Sequence, residues 1–200
     1  MEPVNMPTSG LGSNLGTGGF MNPDKIVREF GIKDGMMIAD FGSGAGYFTI
    51  LLGQRVGVDG KVYALDIQES ALDNVRVKAK SSGLENVETV RANLEVPGGS
   101  DLADNSQDMV LLANILFQSD LKGEIIKEAV RVLKSGGFFV VIDWKRSAGA
   151  MPDGRQGFGP PDNLRTDEIA MRSLILSEGL VFENDIDAGQ FHYGMKFKKG

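Results

Sequence analysis

The sequence has no cysteine and a single histidine among its 200 residues. Without thiols there can be no disulfide framework, thiolate metal site, thiol nucleophile or redox pair. A reducing, cytoplasmic setting is the expectation. Cations are in the minority: 21 Lys and Arg stand against 27 Asp and Glu, giving a formal net charge of -6. That balance argues against broad adhesion to polyanions such as nucleic acid or an anionic membrane surface. Long hydrophobic runs are missing too. The most apolar stretches, 109–117 and 138–142, fall far short of the ~20 residues that a membrane-spanning helix requires. No Lys or Arg precedes Lys25, and residues 8–19 are rich in Gly, Ser, Thr and Asn, so an export leader is not expected.

What is present, 42% hydrophobic and 24% charged residues, suits one globular domain over 23–200. Residues 1–22, with five glycines, read as a flexible arm, whose Phe20 and Met21 would either close over a bound ligand or staple the arm to the first helix. Asn22 before Pro23 is a helix-start signature, and Gly31 a stop, which predicts a helix over about 23–30. Strands and helices then alternate. Strands are expected at 36–41, 61–66, 87–91, 108–113 and 138–144. Helices are expected at 47–56, 69–82, 121–133 and 167–178. Near-continuous apolar strands separated by amphipathic helices imply an α/β fold, a three-layer αβα sandwich with a mostly parallel sheet. The last two strands, 181–187 and 191–198, are joined by too short a turn for anything but antiparallel pairing.

The chemistry concentrates where the first strand ends: Asp40-Phe41-Gly42-Ser43-Gly44-Ala45-Gly46 leads into a helix. Glycines there permit positive φ and let a ligand approach the backbone at the carboxyl end of a parallel sheet. The second strand ends on Asp66, whose carboxylate can accept both hydroxyls of a ribose. A dinucleotide site would space its glycines G-x-G-x-x-G to receive a pyrophosphate on the helix N-terminus. Here the third glycine comes one residue early. A carboxylate at Asp40 repels phosphate and attracts an ammonium or sulfonium group, so the favoured ligand is a cation with an adenosyl end.

These residues resemble the class I S-adenosylmethionine-dependent methyltransferases, and the resemblance covers nearly all of 22–198. The stretch Ile38 to Gly46 is similar to the family's first motif and Leu65-Asp66 to its second. Arg91-Ala92-Asn93-Leu94 stands at the adenine-contacting turn, where the family usually has Asp in place of Asn93. Leu133-Lys134-Ser135-Gly136-Gly137-Phe138 is similar to the turn into the fifth strand, with Ser135 where Pro is common. The resemblance implies a seven-stranded sheet of order 3-2-1-4-5-7-6 with the seventh strand reversed. It also implies S-adenosylmethionine as cofactor, S-adenosylhomocysteine as product, and no metal. The cofactor residues implied are Asp40 for the methionine ammonium, Gly42, Gly44 and Gly46 for backbone approach, Asp66 for the ribose, and Asn93 with the Leu94 amide for adenine, with Ser43 and Ile67 as further cofactor contacts. Asn114, at the end of the fourth strand, is implied for the sulfonium pocket.

Methyl transfer needs orientation more than chemistry by side chains. If the nucleophile carries a proton, His192 and Asp143 are the candidate catalytic bases, with Asp187 a further carboxylate at the same sheet edge. Phe117, Trp144 and Arg165 are the candidate substrate contacts, Arg165 for a carboxylate or phosphate. Asp143-Trp144-Lys145-Arg146 could add a positive clamp. The expected acceptor is a small molecule, with neither nucleic acid nor membrane favoured and both monomer and homodimer compatible. An RNA or protein methyltransferase and a non-catalytic cofactor-binding module share the fold and stand as alternatives, whereas arsenite methylation through cysteine thiolates is excluded by composition.

Overall fold

The computed structural model describes residues 21–146 and 159–200. The expected arm at 1–20 and most of the connection after the fifth strand lie outside them. A seven-stranded sheet runs in the order β3-β2-β1-β4-β5-β7-β6. Its strands are β1 (Met37–Phe41), β2 (Lys61–Asp66), β3 (Val87–Arg91), β4 (Gln107–Ala113), β5 (Leu133–Trp144), β6 (Leu180–Ile186) and β7 (His192–Lys199). The pairs joining β1, β2, β3, β4 and β5 are parallel, and β7 runs antiparallel to both β5 and β6. The sheet order and reversed last strand implied by the resemblance are therefore present.

The helices are α1 (Pro23–Val27), α2 (Tyr47–Arg55), α3 (Glu69–Ser81), α4 (Lys122–Val132) and α5 (Glu168–Ser177). Alternation along the strands sorts side chains to two apolar layers. Ile38, Val62, Met109, Leu111, Val140 and Ile142 pack with Ile26, Val27, Phe30, Phe48 and Leu52 of the α1–α2 side. Ala39, Phe41, Val110, Leu112, Phe139, Val141 and Met195 pack with Ile125, Ile126, Ala129 and Met171 of the α4–α5 side.

Most boundaries lie within one residue of the sequence expectation, and two differ by more, for local reasons. The first helix closes at Val27 and the chain leaves through turns that Glu29 and Phe30 make to Ile26 and Val27 carbonyls. The fifth strand begins at Leu133, not Phe138, because the pairing to β4 continues through a register shift that absorbs Gly136 and Gly137. The last strand opens at His192 instead of Phe191.

Between β3 and β4 the chain forms no helix, and a buried charge cluster orders it instead. The Glu128 carboxylate accepts from the Gly98 and Ser100 amides, the Ser100 hydroxyl and Arg131. Burial alone would raise its pKa, but these donors outweigh that and hold it down at about 2. This clamp ties the stretch that follows Asn93, Leu94 and Glu95 to α4.

Candidate active site

At the carboxyl ends of β1, β2, β4 and β5 lies a cavity of about 990 Å³, whose lining includes Asp40, Gly44, Asp66, Asn93, Asn114 and Trp144. Its floor is the glycine loop, and the backbone hydrogen bonds of that loop are accounted for almost residue by residue. The Gly42 and Ser43 amides donate to the Leu65 carbonyl at 2.8 and 2.9 Å, and the Gly46 amide to Ser43 at 2.9 Å. The Gly44 amide donates to Asp66 Oδ2 at 2.9 Å. Lys78 Nζ, reaching across from α3, donates to the Ala45 carbonyl at 2.6 Å and lies 3.7 Å from the Tyr47 ring centre.

The glycines have different reasons to be there. At Gly44, φ is +50° and a side chain would meet nothing within 4 Å, so this residue presents open backbone to the cavity. At Gly42, φ is +74° and a Cβ would lie 2.3 Å from Ile115 Cγ2. Gly46 departs from expectation: it is not in the cavity lining but serves as the left-handed N-cap of α2, where a Cβ would lie 2.9 Å from Val75 Cγ2. It allows α2 to pack on α3.

The two loop carboxylates sit in contrasting environments. Asp66 is half-buried, with Oδ2 accepting from Gly44 and Oδ1 from the Gln68 amide at 2.9 Å. Each oxygen keeps a further lone pair for a ligand hydroxyl. Beside it, Ile67 is exposed on the cavity rim. Asp40 is 2% exposed. Its Oδ2 accepts from Thr49 Oγ1 at 2.6 Å. Burial pushes its carboxyl up to about 7, with the Thr49 hydroxyl working against that and the Asp66 charge adding to it.

At the far end, the Asn93 side-chain oxygen accepts from the Glu95 amide at 3.1 Å, which spends one of its lone pairs on its own turn. Leu94 is buried in the lining beside it, and Glu95 Oε1 accepts from Ser119. Ser43 Oγ and Asn114 Oδ1 are buried without a hydrogen-bond partner. Asn114 also holds a left-handed backbone, φ 59°, a conformation that costs a non-glycine residue energy and clusters at functional sites.

The opposite wall is made of side chains from distant segments. Trp144, at the end of β5, lies against His192, at the start of β7, with ring centres 4.1 Å apart. Phe117, on the 3₁₀ turn Leu116–Gln118, and Met21, 7% exposed, complete this wall. His192 is 2% exposed and neither ring nitrogen has a hydrogen-bond partner. Burial first, then the charges of Arg165 and Lys145, bring its pKa down to about 4, so the imidazole is neutral at physiological pH.

Besides Gly46, three of the expected residues stand elsewhere. Asp143 is opposite Tyr193 in the β5–β7 ladder, one register step from the Trp144–His192 pair, and so faces the α4–α5 side of the sheet. It is fully buried and outside the cavity lining. Its Oδ1 accepts from the Trp144 amide at 2.8 Å. Burial raises its carboxyl to about 6, opposed by the Trp144 and Phe117 amides, the Lys122 charge and the Leu116 amide, and its Oδ2 is buried without a hydrogen-bond partner. Arg165 is also outside the lining. Its guanidinium donates to the carbonyls of Pro160 and Lys145 and sits 5.4 Å from the Trp144 ring centre, clipping the returning chain to the end of β5. Asp187 is exposed and paired with Lys25 at 2.6 Å. The sequence reading does not single out Thr49 or Lys78. A Thr among the apolar positions of α2 is the available signal for the first, whereas the second depends on tertiary approach.

A family model described as a methyltransferase domain matches residues 32–165. A demethylmenaquinone methyltransferase from Geobacillus stearothermophilus is 33% identical over 119 residues, covering 59% of this chain and 49% of its own length. An arsenite methyltransferase from Aquipseudomonas alcaligenes is 28% identical over 178 residues, covering 84% of this chain and 48% of its own. The chain thus spans about half the length of these curated relatives. The crystal structure of a SAM-dependent methyltransferase from Aquifex aeolicus superposes with a TM-score of 0.76 at 28% identity, covering 89% of each chain.

Proposed function

The chain belongs to the methyltransferase-domain family, and from that premise we propose that it is an S-adenosylmethionine-dependent methyltransferase acting on a small molecule. The observation that carries the reading is the pairing of an open glycine backbone at Gly44 with a carboxylate, Asp66, already oriented by that same backbone. The donors and acceptors present suit the cofactor. Asp66 has lone pairs left for a ribose diol, Asp40 offers a buried carboxylate for an ammonium, and Ser43 and Asn114 hold buried polar atoms without partners.

In this reading Asp40, Gly42, Ser43, Gly44, Asp66, Ile67, Asn93, Leu94 and Asn114 hold the cofactor, while Trp144, Phe117, Met21 and His192 surround the acceptor. When bound, S-adenosylmethionine would supply a sulfonium-activated methyl group for the acceptor's lone pair, with the carbon–sulfur electron pair left on sulfur. The protein's part is to orient and to exclude water. The Leu65, Asp66 and Lys78 bonds keep the loop in one conformation before binding, and the aromatic wall fixes the acceptor's approach. His192 enters neutral and can take a proton at a ring nitrogen. With its pKa near 4 it passes that proton on at once and assists only an acidic nucleophile. Asp143, on the other face of the sheet, is given no role as a base in this reading.

The test is incubation with methyl-labelled S-adenosylmethionine and a cell extract separated into small-molecule, protein and RNA fractions. Label in a low-mass product supports the proposal. Label confined to RNA or protein would transfer the activity to a macromolecular acceptor, and no label in any fraction with cofactor bound would favour a non-catalytic module.

A further inference from the structure

Thr49 is the one fully buried polar side chain on α2, and cofactor recognition as described gives it no task. It occupies the third position of that helix, where backbone amides lack intrahelical partners, and the N-cap, Gly46, supplies no side-chain acceptor. Asp40 fills that role from the neighbouring strand: the Thr49 hydroxyl donates to it at 2.6 Å and the Thr49 amide also favours its charge. From the sheet, its register neighbours Ala64 and Leu111 bring no charge, and Asp66 brings one of the same sign. Among the described residues, no cation is among the groups acting on Asp40. A carboxyl group so placed holds its proton to higher pH than an ordinary carboxylate does, until a positive partner arrives.

We propose that Thr49 is a positioning residue that holds Asp40 for the cofactor's ammonium, and that cofactor binding is consequently coupled to release of a proton from Asp40. The inference rests on the S-adenosylmethionine reading and deepens it by assigning how the same site responds to pH. The upward shift of the Asp40 carboxyl to about 7 sets the range in which the coupling shows. Above it the carboxylate is already charged and affinity is level. Below it each bound ligand must displace a proton, and affinity falls up to about tenfold per pH unit. The hydroxyl of Thr49 favours the charged form, so its removal moves the fall to higher pH.

Two probes separate the ends of the ligand: S-adenosylhomocysteine carries the ammonium, and adenosine does not. Binding of both is measured by calorimetry between about pH 5.5 and 8.5 for the wild type, Thr49→Val and Thr49→Ser, in buffers of different ionisation enthalpy so that released protons are counted. For the wild type, S-adenosylhomocysteine affinity falls below about pH 7 with proton release, and adenosine affinity stays level. Thr49→Val binds S-adenosylhomocysteine about three- to tenfold more weakly at pH 7, converges with wild type at the upper end, and leaves adenosine unchanged. Thr49→Ser behaves as wild type. A level wild-type profile without proton release, or a Thr49→Val loss equal at every pH, equal for adenosine, or absent, overturns the proposal. Should Thr49→Val fail to fold, the wild-type proton count and Thr49→Ser still decide. Failure of S-adenosylhomocysteine to bind at any pH would instead refute the cofactor assignment on which the proposal rests.

Discussion

The two ends of the cavity are held by different means. The loop end is built from backbone: amides of Gly42, Ser43 and Gly44 and the carbonyl of Ala45 all have partners, and Asp66 and Lys78 reach in to complete them. The opposite wall is built from stacked side chains, with Trp144 held between His192, the Gly159 backbone and the Arg165 guanidinium. A backbone-built end varies little with side-chain replacement and suits a constant ligand. A wall of side chains can be reshaped by single substitutions, and so suits the part of the reaction that differs between relatives.

The sharpest way to break that contrast is at Gly42. An added methyl group would combine a left-handed φ with a clash against Ile115, two costs that together come to about 2–5 kcal/mol. Urea unfolding of Gly42→Ala is expected to show that loss, and wild-type stability would mean the loop is far softer than its hydrogen bonds indicate. Next is Asp40→Asn. The Asp40 carboxyl is raised from 3.8 to about 7 by folding, so its stability contribution is full below about pH 4 and is lost as pH rises through 7. Removing the charge therefore stabilises the protein at about pH 8, by about 2–4 kcal/mol from the size of the shift, and does little at about pH 4. A stabilisation equal at both pH values would mean that the buried charge is not the cause.

The smallest effect on the loop end is expected from a change in the wall. At Gly159, φ is +85° and a Cβ would lie 2.6–2.7 Å from the Trp144 ring, so Gly159→Ala must move the indole. Emission from the chain's single Trp should shift while S-adenosylhomocysteine affinity changes by less than about threefold, since the sites share few contacts. An affinity loss as large as that from a change at Asp66 would show the ends to be coupled.

The same contrast explains what was legible in the sequence. Strand periodicity, the glycine loop and the acids at the ends of β1 and β2 are local patterns, and they lead to the α/β fold and to the loop end of the cavity, whereas the sheet order comes with the family resemblance they carry. Spacing does not say which glycine faces a cavity and which faces a helix, so it gives Gly46 to the ligand. Asp143 and His192 both lie at strand ends on one edge, and only the β5–β7 register puts their side chains on opposite faces. Sequence alone gives Arg165 to an anion, since it does not show that the guanidinium is engaged by two carbonyls. Thr49 carries no local signal of its role because its partner is on another element.

Calorimetric titration of S-adenosylhomocysteine into the wild type and Asp66→Ala probes the cofactor site without any knowledge of the acceptor. Saturable binding is expected near one ligand per chain, weakened by about 1.5–3 kcal/mol when the carboxylate that accepts from Gly44 is removed. No binding by the wild type, or binding that Asp66→Ala leaves untouched, would contradict the placement of an adenosyl group on this loop.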